Sequence, residues 1–193
     1  MIVAVLPIKT FPRAKSRTGL DAPDRAALAE SMARDVLAAL ARVPSLKAIL
    51  VVTREPRAAA AARAAGAGVV DDPEEAGHSE AALIGVREAL RRGAARVLLV
   101  PGDCPLIDAG EVDALLRDAG RGVTIVPDRH GTGTNALVLD PPDAMAPSFG
   151  PGSCERHERL ARAAGLAVRV AHVPSLAFDV DTPADVAALR VAA

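Results

Sequence analysis

Between Arg96 and Leu106 the chain reads Arg-Val-Leu-Leu-Val-Pro-Gly-Asp-Cys-Pro-Leu, and this run constrains the fold more than any other. Val97 to Val100 offer no polar face, the pattern of a strand buried on both sides of a parallel sheet. Pro101-Gly102 ends the run, Asp103 follows at once, and Pro105 blocks an immediate helix. Asp103 is therefore expected on a tight bend just past the carboxyl end of a central strand, where open α/β sheets bind ligands. A carboxylate there either ties down a turn or faces a cation that carries phosphates. This stretch alone leaves both readings open.

Strand and helix patterns alternate through the rest. Strands are expected over 2–6, 48–52, 68–70, 123–126, 135–139, 168–173 and 176–178. Helices are expected over 24–42, 55–65, 79–92, 108–119 and 153–164, with a last one opening at Thr182-Pro183. Ser79 and Ser153 read as N-caps, and Asp108-x-x-Glu111 has capping-box spacing. Such alternation predicts a three-layer α/β/α sandwich with a mostly parallel sheet. The neighbouring strands at 123–139 break it and predict a mixed sheet with an antiparallel excursion. Residues 1–193 read as one domain. Three Phe are the only aromatics, while 50% of residues are hydrophobic, so the core must be Ala, Val and Leu. The net charge of −1 argues against a nucleic-acid partner. No apolar run approaches the ~18 residues of a membrane span. The N-terminus reads as a strand and not as a signal peptide. Cys104 and Cys154 are too few for a disulfide framework, and a cytoplasmic location is expected.

Four stretches carry candidate chemistry. Lys9, Arg13, Lys15 and Arg17 follow the first strand directly, which puts them at the same rim as Asp103. Clustered cations repel unless they face a polyanion, and Lys and Arg are the usual phosphate ligands; a solvated basic loop is the plain alternative. The glycines of a Walker A loop are missing. Gly131-Thr-Gly-Thr-Asn-Ala136 leads into a strand, not a helix, which rules out a dinucleotide fingerprint but leaves Thr134 and Asn135 as donors at a strand entrance. Phe149-Gly-Pro-Gly-Ser153 precedes a helix whose free N–H groups would suit a small carboxylate or phosphate. Asp179-Val-Asp181 places two carboxylates on one side of an extended segment; with Asp103 they suffice for one or two magnesium ions. The four histidines show no zinc spacing, and no nucleophilic Ser or Cys arrangement is present.

Taken in order, the Pro7–Arg17 loop, Gly102-Asp-Cys-Pro-Leu106, Gly133-Thr-Asn135, Phe149-Gly-x-Gly-Ser153 and Asp179-Val-Asp-Thr-Pro183 resemble the guanylyltransferase family of deazaflavin coenzyme F-420 biosynthesis, called CofC or FbiD. That family belongs with MobA-like nucleotidyltransferases of glycosyltransferase-A type fold, which are Rossmann-like. The resemblance implies transfer of GMP from GTP to 2-phospho-L-lactate, phosphoenolpyruvate or 3-phospho-D-glycerate, with release of pyrophosphate. It implies Mg2+ held by Asp103, Asp179 and Asp181, and acid binding by Thr134, Asn135, Gly150 and Ser153. Lys15 and Asp103 are the expected catalytic pair, with Lys9, Arg13, Lys15 and Arg17 on the triphosphate. Glu80, roughly where relatives often carry Asn, is expected to read guanine. Hand-off of a labile product to the downstream transferase is a further expectation. A molybdopterin or sugar-phosphate nucleotidyltransferase and a non-catalytic nucleotide-binding module are the alternatives.

Overall fold

The computed structural model describes residues 1–192. Its strands are β1 (Ile2–Pro7), β2 (Ala48–Val52), β3 (Gly68–Val70), β4 (Arg96–Leu99), β5 (Gly122–Pro127), β6 (Thr134–Asp140) and β7 (Val168–Val170). The helices are α1 (Ala22–Leu40), α2 (Pro56–Ala64), α3 (His78–Arg91), α4 (Ala109–Asp118), α5 (Ser153–Ala163), the single turn α6 (Pro174–Ala177) and α7 (Pro183–Ala192). All strands join one sheet in the order β3-β2-β1-β4-β6-β5-β7. β6 pairs antiparallel with β4 and β5, and the remaining pairs are parallel. The mixed sheet expected from the sequence is therefore present. No helix among the described residues is long and apolar enough to cross a membrane.

Side chains alternate across the sheet with a period of two. Along β1, Ala4 and Leu6 join the core under α1, α2 and α4, whereas Val3 and Val5 face α3. Because both faces are covered, Val97, Leu98 and Leu99 of β4 are all fully buried, which is why the sequence shows no polar position there. Helix α3 lies unusually close to the sheet: a Cβ on Gly85 would sit 2.2 Å from Val5 Cγ1. A smaller cluster of Met32, Val180 and Val186 seats α7 against α1.

Local differences from the sequence reading have identifiable causes. Residues 174–177 form a helical turn and not a strand at 176–178, with Pro174 at its first position; a short apolar run does not distinguish the two by periodicity. β7 stops at Val170. Helix α3 begins at His78 after Gly77, not at Ser79, and the Ser79 hydroxyl accepts the Phe149 N–H at 2.8 Å instead of capping. Gly152, left-handed at φ 69°, takes the cap position of α5 and makes Ser153 the first helical residue. Asp108 does cap α4, accepting the Glu111 N–H at 2.9 Å.

Candidate active site

β1 to β5 run parallel, so their carboxyl ends share one rim, and the reversed β6 brings its first residues, Thr134 and Asn135, to that same rim. The strand order reverses beside β1: the chain winds outward through β2 to β3, then returns on the other side at β4. A crevice at such a reversal is where open sheets bind ligands. Here it holds a cleft of about 250 Å³ whose lining includes Lys9, Lys15, Arg17, His78, Asp103 and Asp181. A second hollow of about 190 Å³ adjoins it, sharing Pro7, Ile8, Lys9 and His78, and is closed by Asp72, Glu75 and Gly77.

The basic loop and the carboxylates meet. Lys15 Nζ donates to Asp103 Oδ2 at 2.5 Å and to Asp181 Oδ1 at 3.0 Å, and Arg17 pairs with the other oxygen of Asp181. The Lys15 side chain is only 8% exposed. Burial works against its charge, but the Asp103 and Asp181 carboxylates outweigh burial and lift the ammonium above the ordinary lysine pKa. Its backbone is left-handed at φ 55°, a strained setting for a side-chain-bearing residue. The Thr18 N–H and hydroxyl hold it there by donating to the Lys15 carbonyl at 3.2 and 2.8 Å. Arg13 reaches Glu75 at 2.9 Å. Lys9, by contrast, makes no ion pair among the described residues.

Asp179 completes the acidic group. The Val180 N–H donates to the Asp103 carbonyl at 3.2 Å, which ties the 179–181 segment to the β4 bend. Burial, then the Asp103 carboxylate, pushes the Asp179 pKa up, partly offset by the Asn135 amide at 3.3 Å. These oxygen donors fit a hard divalent cation, and the repulsion that raises Asp179 is what such a cation relieves. Among the described residues no group of three or more His, Cys, Asp or Glu side chains is already gathered at metal-holding geometry; the Lys15 ammonium bridges two of the carboxylates instead.

Of the expected acid-binding residues, Asn135 touches this group through Asp179, whereas Thr134, Gly150 and Ser153 are not among the residues lining either hollow. Asn135 also donates to the Leu176 carbonyl at 2.8 Å, and Thr134 Oγ1 lies 3.0 Å from His157 Nδ1. The Cys154 N–H donates to the Thr132 carbonyl at 3.1 Å and fastens α5 to the loop before β6. The first N–H groups of α5 are thus less free than the sequence implies, because the Ser153 N–H is also taken, by the Gly150 carbonyl at 3.0 Å. Gly150 sits in an exposed turn at φ 112°. Among the described residues the buried Ser153 hydroxyl finds no hydrogen-bond partner.

Glu80 is not brought to the cleft. The buried stripe of α3 is Ala81, Ala82, Gly85, Val86 and Ala89, so Glu80 falls on the exposed side with Arg87 and Arg91. The sequence reading missed His78, His157, Asp72 and Glu75. The histidines have no motif spacing, and only the position of Asp72 and Glu75 just after a short strand hinted at the rim. Asp185 was missed as well: it accepts the Asp181 and Thr182 N–H groups at 2.9 and 2.7 Å and pairs with Arg129. Neither cysteine is a nucleophile candidate, since burial pushes both thiols up.

Comparison with known proteins supplies the context. A family model described as "Guanylyl transferase CofC like" matches residues 2–192. A phosphoenolpyruvate guanylyltransferase of Conexibacter woesei is 52% identical over 97% of this chain and 86% of its own. A protein of the same name from Sphaerobacter thermophilus is 44% identical over 95% and 89%. A 3-phospho-D-glycerate guanylyltransferase of Phenylobacterium zucineum is 38% identical over 96% and 88%. Among solved structures, a nucleotidyl transferase from Methanothermobacter thermautotroptrophicus superposes with a TM-score of 0.72 at 19% identity, covering 100% of this chain and 97% of that one. At that identity the likeness shows the fold alone.

Proposed function

The chain belongs to the CofC-like guanylyl transferase family, and from that premise we propose that it transfers GMP from GTP to phosphoenolpyruvate with release of pyrophosphate. Guanylyl transfer comes with the family. The choice of acceptor follows the relatives at 52% and 44% identity, both named for phosphoenolpyruvate, over the relative at 38% named for 3-phospho-D-glycerate. The adduct belongs to coenzyme F-420 biosynthesis in the cytoplasm, and its lability favours hand-off to the downstream transferase.

One observation carries the reading: a nearly buried ammonium, Lys15, lies between the carboxylates of Asp103 and Asp181 at the strand-order reversal. The attacking phosphate oxygen is already anionic, so no strong general base is required. The difficulty is bringing two polyanions together, and Lys9, Arg13, Lys15 and Arg17 lower that repulsion by facing the triphosphate. Asp103, Asp179 and Asp181 would hold a magnesium ion. Bound there, the ion supplies charge neutralisation of the phosphates and a template for in-line displacement. Thr134, Asn135, Gly150 and Ser153 receive the acid on the β6 side. For guanine the geometry favours the second hollow over Glu80, because Asp72 is buried in its wall and a carboxylate accepts from guanine N1–H and the 2-amino group together.

Pyrophosphate release tests this. It should require GTP, phosphoenolpyruvate and Mg2+ together and stop on chelation. Asp103→Asn should lower kcat by at least about 100-fold, equivalent to ~2.7 kcal/mol of transition-state stabilisation, with the melting temperature nearly unchanged. Full activity in that variant removes Asp103 from the site. Asp72→Asn should narrow the preference for GTP over ITP, whereas Glu80→Ala should leave it unchanged.

A further inference from the structure

We propose that His157 is a positioning residue: its ring fixes the Thr134 hydroxyl as a hydrogen-bond donor toward the carboxylate or phosphate of the acceptor acid. The inference rests on the reading of Thr134 as part of the acid site. His157 is completely buried on α5, and its two ring nitrogens have different partners. Nε2 lies 2.9 Å from the Ser148 backbone nitrogen, and Nδ1 lies 3.0 Å from Thr134 Oγ1. A backbone N–H only donates, so Nε2 is the unprotonated, accepting nitrogen. Burial, and then the Arg156 guanidinium, hold the ring pKa down to about 4, which keeps the imidazole neutral near pH 7. Its one proton therefore sits on Nδ1 and is donated to Thr134 Oγ1.

That bond leaves the Thr134 proton free. Oγ1 accepts from the histidine, so its own O–H must point to another acceptor, and among the described residues it meets none. An anionic oxygen is the acceptor that suits it. Ser153 Oγ, also buried and without a partner among the described residues, belongs to the same junction of α5 and β6. The ring plane is held from the side as well: Phe149 packs edge-on against His157 at 5.3 Å between centroids, and the Phe149 N–H is anchored on Ser79. A neutral ring of the opposite tautomer would leave the Ser148 N–H without its acceptor.

The test compares variants that mimic one ring nitrogen each, using the KM for phosphoenolpyruvate and the KM for GTP as separate readouts of pyrophosphate release. In His157→Asn the amide nitrogen takes the place of Nδ1 and can still donate to Thr134. In His157→Gln the side chain reaches the Nε2 position and accepts the Ser148 N–H, but the donor to Thr134 is lost. His157→Gln should raise the phosphoenolpyruvate KM about tenfold and leave the GTP KM unchanged, while His157→Asn stays within about threefold of wild type. Thr134→Val should raise the same KM, and adding His157→Gln to it should bring no further loss. If Thr134→Val raises that KM but the two histidine variants behave alike, the positioning role is wrong and the acid site stands. If Thr134→Val leaves it unchanged, the acid-site reading itself fails. Should the histidine variants not fold, long-range 1H–15N correlation of the wild-type ring decides: the Nδ1–H tautomer supports the proposal, and the Nε2–H tautomer overturns it.

Discussion

Lys15 combines a left-handed backbone with an ammonium shared between two carboxylates. Its removal should therefore have two separable effects. In Lys15→Met the Asp103, Asp179 and Asp181 group loses its buried cation, and the repulsion already raising the Asp179 pKa grows. Guanylyl transfer should fall at least about 100-fold. The melting temperature should fall too, and Mg2+ should restore more of it than it adds to wild type, because the metal then relieves an otherwise uncompensated repulsion. A melting curve indifferent to Mg2+ in both proteins would argue that these carboxylates hold no metal. Asp103 was legible because it follows an apolar run at a true strand end. The 179/181 pair was legible because two carboxylates two residues apart share one side of an extended segment, although the run before them is a helical turn. The pairing of Asp185 with Arg129 was not, since the two lie far apart in sequence and only the folded rim brings them together.

Helix α3 shows how an element sets the site. Gly85 lets it approach β1, where a Cβ would meet Val5 Cγ1 at 2.2 Å and Val52 Cγ2 at 3.0 Å. Alanine is the better helix former by about 1 kcal/mol, yet overpacking against two β-branched side chains costs ~1–3 kcal/mol. Gly85→Ala is therefore expected to be neutral to destabilising, and Gly85→Val clearly destabilising in thermal melts. Activity should fall with it, because the first turn of α3 carries His78 into the cleft and Ser79 to Phe149. The span of α3 was readable in the sequence, but the expectation that Glu80 reads guanine did not weigh which face the helix buries. Helix α5 contributes a pH effect. The unfolded His157 takes up its proton near pH 6.5, the folded one only near about 4. Across that interval the unfolded chain binds more protons, so stability falls as pH drops from 6.5 toward 4 and is unaffected by this group above 6.5. His78, also pushed down by burial, adds to the same loss. Melts of His157→Asn should show a shallower decline over that range; an identical slope would mean the ring protonates without penalty.

At the scale of the molecule, the site joins a strand from the middle of the sheet to a segment at its margin. β1 and β4 are buried on both faces, whereas 179–186 rests on the small cluster of Met32, Val180 and Val186. Among the described residues only a few bonds fasten that segment to the rim: Val180 N–H to the Asp103 carbonyl, the Asn135 amide to Asp179, Asp181 to Lys15 and Arg17, and Asp185 to Arg129. Local opening free energy follows such buried contacts, so this margin should open far more readily than the sheet. The amides of Val180, Asp181 and Thr182 are accordingly expected to exchange with solvent orders of magnitude faster than those of β1 and β4. Binding of GTP with Mg2+ favours states in which Asp103, Asp179 and Asp181 lie together, because only those states present the full donor set. Nucleotide and metal added together should therefore slow exchange at 180–182, while either alone does less and the β4 amides hardly change. Exchange at 180–182 that ignores the ligands, in a protein that still releases pyrophosphate, would place the metal and the triphosphate away from the C-terminal carboxylates.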